Sequence, residues 1–334
     1  MHIIQGAPDV RIHRCPACAG SLSFESLSCS CGAQVAYDVE GDRFTQLQWA
    51  CANRAEIGCN WAADSQGWLC HSCVMTKVIP DTFHSENRGL WAESERAKRR
   101  VLANLARWGW LTSADPGPRP VFHLLAEATG PGAAMVTMGH AGGVVTINVT
   151  EADDAQRVQR REALGERFRT MIGHFRHELG HFFMLERLAP QFGIGDRFRL
   201  LFGDERADYG EALQRHYRDG PPADWNVRHV TPYASSHPHE DWAETFAHLL
   251  HLTDITDSFV ATGLSAPDLP GADYDAYGEQ DAERLVTIGA GLGIALNHVN
   301  RSMGLEDIYP FVLTPVIREK LGFAHRWMRT GPAP

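Results

Sequence analysis

Beyond Cys73 the chain contains no cysteine: all 8 of its cysteines lie in the first 73 of 334 residues. Such clustering without a leader favours metal thiolates over disulfides, because a reducing cytosol keeps thiols free. Long apolar runs are also missing. No stretch has the length of a membrane span, and Met1 to Arg14 lacks an apolar leader core and a small-residue cleavage site, so the expectation is a soluble cytoplasmic protein with no membrane partner. Positive charge is in deficit, with 31 Lys and Arg against 41 Asp and Glu, a net charge of −10. That balance repels a polyanion and argues against nucleic acid as the general partner. Internal repeats and low-complexity segments are absent too. What remains is 44% hydrophobic and 22% charged, ordinary for a globular chain long enough for a small module and one larger domain.

Composition divides the chain. Residues 1–85 are rich in Cys, Ser and Gly with no long helical periodicity, as expected where metal replaces a hydrophobic core; 86–334 read as the larger domain. A helix is expected from Ser94 through Trp110, with Ala97, Val101, Leu102 and Leu105 at helical spacing beside the solvated basic run Arg96, Lys98, Arg99, Arg100. Pro and Gly break the chain at 115–120, and Val121 to Ala126 and Val144 to Val149 read as strands. From Asp154 to about Leu188 the pattern is one long helix or two abutting ones. Further helices are expected over Gly203 to Tyr217, His239 to Leu252, Ala282 to Met303 and Thr314 to Trp327, with a loop from Gly263 to Gly278.

The central motif is His177-Glu178-Leu179-Gly180-His181. Two histidines at i and i+4 project from adjacent helical turns, so both imidazoles can reach one Zn²⁺ while Glu178 points at water bound there. They lie opposite the apolar stripe of Leu164, Phe168, Met171, Ile172, Phe175, Leu179 and Phe182. A zinc hydrolase also needs a third protein ligand and an open position for water. Glu240 in His237-Pro238-His239-Glu240-Asp241-Trp242-Ala243-Glu244 is the expected third ligand, with Glu244 orienting a ligating His through its far ring nitrogen; the reverse assignment stays open. Both acids share a helix face, away from Trp242, Phe246, Leu249 and Leu250. His174, His248 and His251 could contact substrate or serve as alternative ligands, although a spare histidine is usually solvated or hydrogen-bonded. A phenol at Tyr233, seven residues before Glu240, could donate to an oxyanion or simply pack.

Near the start, Cys15 and Cys18 form a CxxC knuckle and Cys29 and Cys31 a tighter CxC pair. Cys51 and Cys59 join the Cys70/Cys73 knuckle as a second set of four, so eight thiolates match two tetrahedral structural zincs. The short CxC leaves interleaved pairing open, as well as replacement of a Cys by His13 or His71. Closed Cys₄ sites supply folding energy and no chemistry. The module could also carry a protein partner.

Taken together, Cys15-Pro16-Ala17-Cys18, Cys59-Asn60-Trp61, Ala97-Lys98-Arg99-Arg100, Phe168-Arg169 through His181, Phe202-Gly203-Asp204-Glu205-Arg206-Ala207-Asp208-Tyr209 and Glu240-Asp241-Trp242-Ala243-Glu244 resemble a bacterial family of zinc-binding metallopeptidases that joins an N-terminal zinc ribbon to an HExxH domain. The larger domain also resembles the gluzincins, whose third ligand is a Glu on a later helix, and in lethal-factor-type members a Tyr seven residues before that Glu assists the oxyanion, as Tyr233 would here. The resemblance implies an α+β fold: a small Cys-rich ribbon, then a mainly helical zincin-like domain whose small twisted sheet lies above the active-site helix. Its edge strand, here His140 to Val149, would bind extended peptide.

The expected function is zinc-dependent hydrolysis of a peptide or peptide-like amide, with one catalytic and two structural Zn²⁺. The alternatives are a ribbon adaptor whose HExxH domain binds metal without turnover, and an amidase acting on an isopeptide or non-ribosomal amide.

Overall fold

A computed structural model describes residues 12–130, 132–153, 170–193, 195–264, 270–271 and 273–332. The chain clusters into two compact units, essentially His13–Arg187 and Leu188–Thr330. The fold is mixed α+β, as expected.

The first unit opens with antiparallel pairs, β1 (His13–Arg14) with β2 (Ser21–Leu22) and β3 (Val35–Asp38) with β4 (Arg43–Gln46), followed by the short α1 (Arg54–Ile57). An aromatic knot of His13, Phe24, Tyr37 and Phe44 fills the small space between them, with ring centroids 4.9–6.1 Å apart. β5 (Thr76–Val78) then leads to α2 (Ser85–Ala106). This helix starts nine residues before the expected Ser94, because its first turns bury Asn87 and Trp91 without an apolar repeat that a sequence reading would register.

β6 (Val121–Leu125) and β10 (Val144–Asn148) form where strands are expected. β7 (Ala128–Thr129) and β8 (Gly132–Ala133) pair separately, and β9 (Gly139–Ala141) pairs antiparallel with β10. The sheet order is β5-β6-β10-β9, parallel except at β9. The expected edge strand over His140 to Val149 is therefore corrected. Gly142 and Gly143, at φ +53° and +81°, reverse the chain, so β10 is internal and, of the expected strand, only His140 and Ala141 lie on an edge strand, β9. Alternation along β6 and β10 buries Phe122, Leu124, Val145 and Ile147 completely.

α3 (Met171–Phe182) packs on α2, β9 and β10. The stretch expected to be helical over 154–169, and with it the resemblance at Phe168-Arg169, lies outside the described residues. After Phe182 the helix continues not as α but as a π turn, Phe183–Leu188, and then as α4 (Ala189–Phe192). The wider turn accommodates one extra residue. It places Arg187 on Asp115 at 2.6 Å and over the Trp110 ring at 4.9 Å.

The second unit is helical. α5 (Asp196–Phe202) was not foreseen, and the next helix, α6, spans Tyr209–Asp219 rather than beginning at Gly203. Asp208 caps α6 by accepting the Glu211 amide at 2.8 Å, which fixes the true start. α7 (Trp225–Arg228) precedes α8 (Pro238–Ala261), α9 (Ala282–Ser302) and α10 (Pro315–Arg329). α8 packs on both α9 and α10. Gly289 permits close approach of the first pair, since a Cβ there would lie 3.0 Å from Leu252. Phe198, Phe202, Trp242, Phe323 and Trp327 form the aromatic centre, with Phe198 and Phe202 stacked at 4.6 Å. Among the described residues no helix is long and apolar enough to cross a membrane.

Candidate metal centres

Thr170 begins α3 by accepting the Gly173 amide on its hydroxyl at 3.0 Å. Phe175, Leu179 and Phe182, all fully buried, fasten one face to the sheet, with Phe175 5.8 Å from Phe122. Arg176 donates to the Asn104 side chain on α2 at 3.2 Å. With the helix fixed in this way, His177 and His181 stand one turn apart, their rings 4.9 Å apart and nearly perpendicular, and their Nε2 atoms separated by 3.2 Å. Two nitrogens each ~2.0–2.1 Å from one tetrahedral zinc would lie roughly 3.3 Å apart, so the pair fits an edge of that polyhedron. Glu178, between them, is 7% exposed.

His174, considered as another ligand, instead sits 3.6 Å from the buried Glu151. His140 lies on β9. Its side chain is 1% exposed and lies 5.9 Å from the Phe182 ring, and its Nε2 accepts the Gly143 amide at 3.2 Å. Burial, with the charge of His181 adding to it, pushes this imidazole down to about 4, so it is neutral at physiological pH.

In the second unit, His237 caps α8 by accepting the His239 amide on Nδ1 at 3.1 Å, and Pro238 takes the first helical position. Trp242, Phe246, Leu249 and Leu250 are fully buried, as expected. The opposite face is not open, however: Glu240 is only 1% exposed, and the Tyr209 phenol donates to its Oε1 at 2.7 Å. Glu244 accepts the Thr231 hydroxyl at 2.8 Å. Tyr233 begins a 3-10 turn, Tyr233–Ser235, with its ring 6.0 Å from His216. His248 and His251 are buried, and His248 shares a 2.9 Å hydrogen bond with the Tyr309 hydroxyl, so both belong to the core of this unit rather than to a solvent-facing site.

The cysteines gather into two quartets, Cys15/Cys18/Cys29/Cys31 and Cys51/Cys59/Cys70/Cys73, the sulfurs of each within 4.8 Å of one another. The pairing is not interleaved. Cys15–Cys31 and Cys18–Cys29 are 3.9 and 3.6 Å apart, Cys59–Cys70 and Cys59–Cys73 3.6 and 3.7 Å. A tetrahedron with zinc–sulfur bonds of ~2.3 Å has edges of roughly 3.8 Å, so both quartets fit zinc. None of the eight forms a disulfide. His13 and His71 do not substitute: the first sits in the aromatic knot, and the second has its Nε2 2.5 Å from the Leu111 carbonyl and 3.0 Å from the Arg119 guanidinium.

The profile of the family described as "Putative zinc-binding metallo-peptidase" matches residues 87–327. The chain belongs to this family. Uncharacterized proteins of Mycobacterium tuberculosis and Mycobacterium bovis are 39% identical over 330 residues, covering 95% of this chain and 94% of theirs. No solved structure matches. The metallopeptidase profile starts inside α2, downstream of every cysteine.

Beside the second quartet lies a residue whose role the sequence hid. Arg99, read as part of a solvated basic run, is 2% exposed, and its Nε and Nη1 are buried without a hydrogen-bond partner. The Cys59 thiol is held below its ordinary value, Cys51 and burial opposing this, Cys70, Cys73 and the Arg99 charge favouring it. An anionic metal–tetrathiolate at this candidate site would account for a guanidinium buried in this way.

Proposed function

We propose that this chain is a zinc-dependent peptidase in which His177, His181 and Glu240 hold the catalytic ion. The observation that carries the reading is the Nε2 pair at 3.2 Å on a helix that also bears Glu178, in a chain of the metallopeptidase family. Two imidazoles and one carboxylate are a donor set of the kind that could hold an ion, and they would leave one position for water. Zinc there would lower the pKa of its water toward ~7 and polarise a scissile carbonyl. Glu178 then takes the proton of the attacking water and passes it to the leaving amine. Tyr233 donates its phenolic hydrogen to the oxyanion, and Glu244 orients a ligating imidazole through its far nitrogen. Residues 1–85 act as a module stabilised by two structural zincs, and 86–334 as the catalytic domain. The backbone of β9, on the sheet edge, offers hydrogen bonds to an extended peptide or a peptide-like amide.

Digestion of a peptide library by wild type and Glu178→Gln tests this. The variant is expected to keep all its zinc and lose activity by roughly 10²–10⁴-fold. Undiminished cleavage with zinc still bound would remove Glu178 from the mechanism, while no cleavage by either form would favour a metal-binding adaptor. A count of three zincs per chain is expected in the same preparation.

A further inference from the structure

The segment Gly203–Tyr209 has no place in the reaction just described, yet ion pairs and ring contacts hold it on both sides. The Arg199 guanidinium grips the Glu205 carboxylate at 2.7–3.2 Å, and Arg206 grips Asp204 at 2.7 and 2.8 Å. Gly203 stands at φ +100°, and a Cβ on it would lie 3.3 Å from the Pro238 ring, so the loop begins pressed against the first residue of α8. His237, the cap of α8, has its Nε2 3.1 Å from the Ala207 carbonyl. Its ring meets the Tyr209 ring edge-on at 5.2 Å. The Arg199–Glu205 pair thus ties the loop to α5, the Gly203, Ala207 and Tyr209 contacts tie it to the start of α8, and at its end the Tyr209 hydroxyl donates to Glu240 at 2.7 Å.

We infer that Tyr209 is the positioning residue for the Glu240 carboxylate, and that the 203–208 loop exists to hold its phenol there. This rests on the reading of Glu240 as a metal ligand. A charge-assisted hydrogen bond to one carboxylate oxygen fixes the rotation of the group, which a glutamate near the start of a helix would otherwise have to lose on binding an ion. It also explains why a carboxylate that is 1% exposed is tolerated beside a tyrosine that is 42% exposed: the phenol reaches in from the surface to satisfy it. Tyr209 acts through Glu240 and needs no contact with substrate. Partners of this kind are worth about 10–100-fold in metal affinity.

The test is competition for zinc by a chromogenic chelator, together with the visible spectrum of the Co²⁺-substituted protein, on wild type, Tyr209→Phe, Glu240→Gln and the double variant. Tyr209→Phe is expected to weaken the catalytic zinc about 10–100-fold and alter the Co²⁺ bands, leaving the two cysteine-held zincs unchanged. In the Glu240→Gln background it should add little. If Glu240→Gln keeps wild-type zinc affinity, the ligand assignment itself fails. If Glu240→Gln loses zinc and Tyr209→Phe does not, the ligand stands and only the role of Tyr209 is overturned. Should Tyr209→Phe not fold, a crystal structure of the zinc-loaded wild type decides: a phenol bonded to Glu240 supports the inference, and one turned away overturns it.

Discussion

The two cysteine quartets have the same ligands and nearly the same sulfur spacings, yet they sit in opposite surroundings. Cys18 and Cys31 are exposed, whereas Cys51, Cys59, Cys70 and Cys73 are at most 2% exposed. The buried quartet is also stitched to α2. Lys98, fully buried and paired with the equally buried Glu95 at 2.9 Å, donates to the Ser72 carbonyl inside the Cys70/Cys73 knuckle at 3.1 Å, and Arg99 follows it in sequence. A metal site at the rim can lose its ion with little consequence for its neighbours. One whose thiolates lie beside a buried guanidinium such as that of Arg99 cannot, because removing the ion leaves that charge buried without its counter-charge.

The largest effect should therefore come from the buried set. Cys59→Ser or Cys70→Ser is expected to abolish cooperative unfolding of the first unit, since a structural zinc is worth ~10–16 kcal/mol against a total stability of ~5–15 kcal/mol. A calorimetric melt resembling wild type would break the comparison. Cys31→Ser should instead lose one zinc per chain, measured by atomic absorption, while near- and far-ultraviolet circular dichroism stay those of the folded protein. If both substitutions unfold the chain equally, the environments do not matter.

A kinetic contrast is expected next. Excess chelator should strip the exposed quartet at least about tenfold faster than the buried one, because thiolate access governs ligand exchange. Arg99→Met should narrow that gap by weakening the buried zinc about tenfold, and Arg96→Met, on the exposed side of the same helix, should not.

The smallest effect is one of pH and belongs to the second unit. Burial, opposed by the Glu244 charge, pushes the His248 imidazole from 6.5 down to about 4. Between those values the unfolded chain binds the proton that the folded chain refuses, so this group's contribution is present above pH ~6.5 and is lost as pH falls toward 4. Urea midpoints for the second unit should fall between pH 7 and 5, and His248→Gln should flatten the slope.

Much of this was legible from residues alone, where local spacing carries the signal. The apolar stripe Met171, Phe175, Leu179, Phe182 placed α3, two apolar runs placed β6 and β10, and counting cysteines anticipated two quartets. What escaped depends on partners distant in sequence. Arg99 resembles any surface arginine until the fold closes over it. Tyr209 stands 31 residues from the carboxylate it holds, with no periodicity linking the two. α5 is too short to show an amphipathic repeat, and the edge of the sheet was misplaced because two glycines turn the chain where a continuous strand was expected. The burial of Glu240 was missed for the same reason: helical wheels show which residues share a face but not what covers it.

The π turn over Phe183–Leu188 makes the helix bearing His177 and His181 sensitive to chain length at a point beyond its own ligands. It acts as a one-residue shim. Removing a single residue there would let an ordinary helical turn form and swing Arg187 off Asp115 without touching a metal-binding side chain. Length variation just downstream of an HExxH helix can thus be absorbed or punished according to whether it preserves that turn.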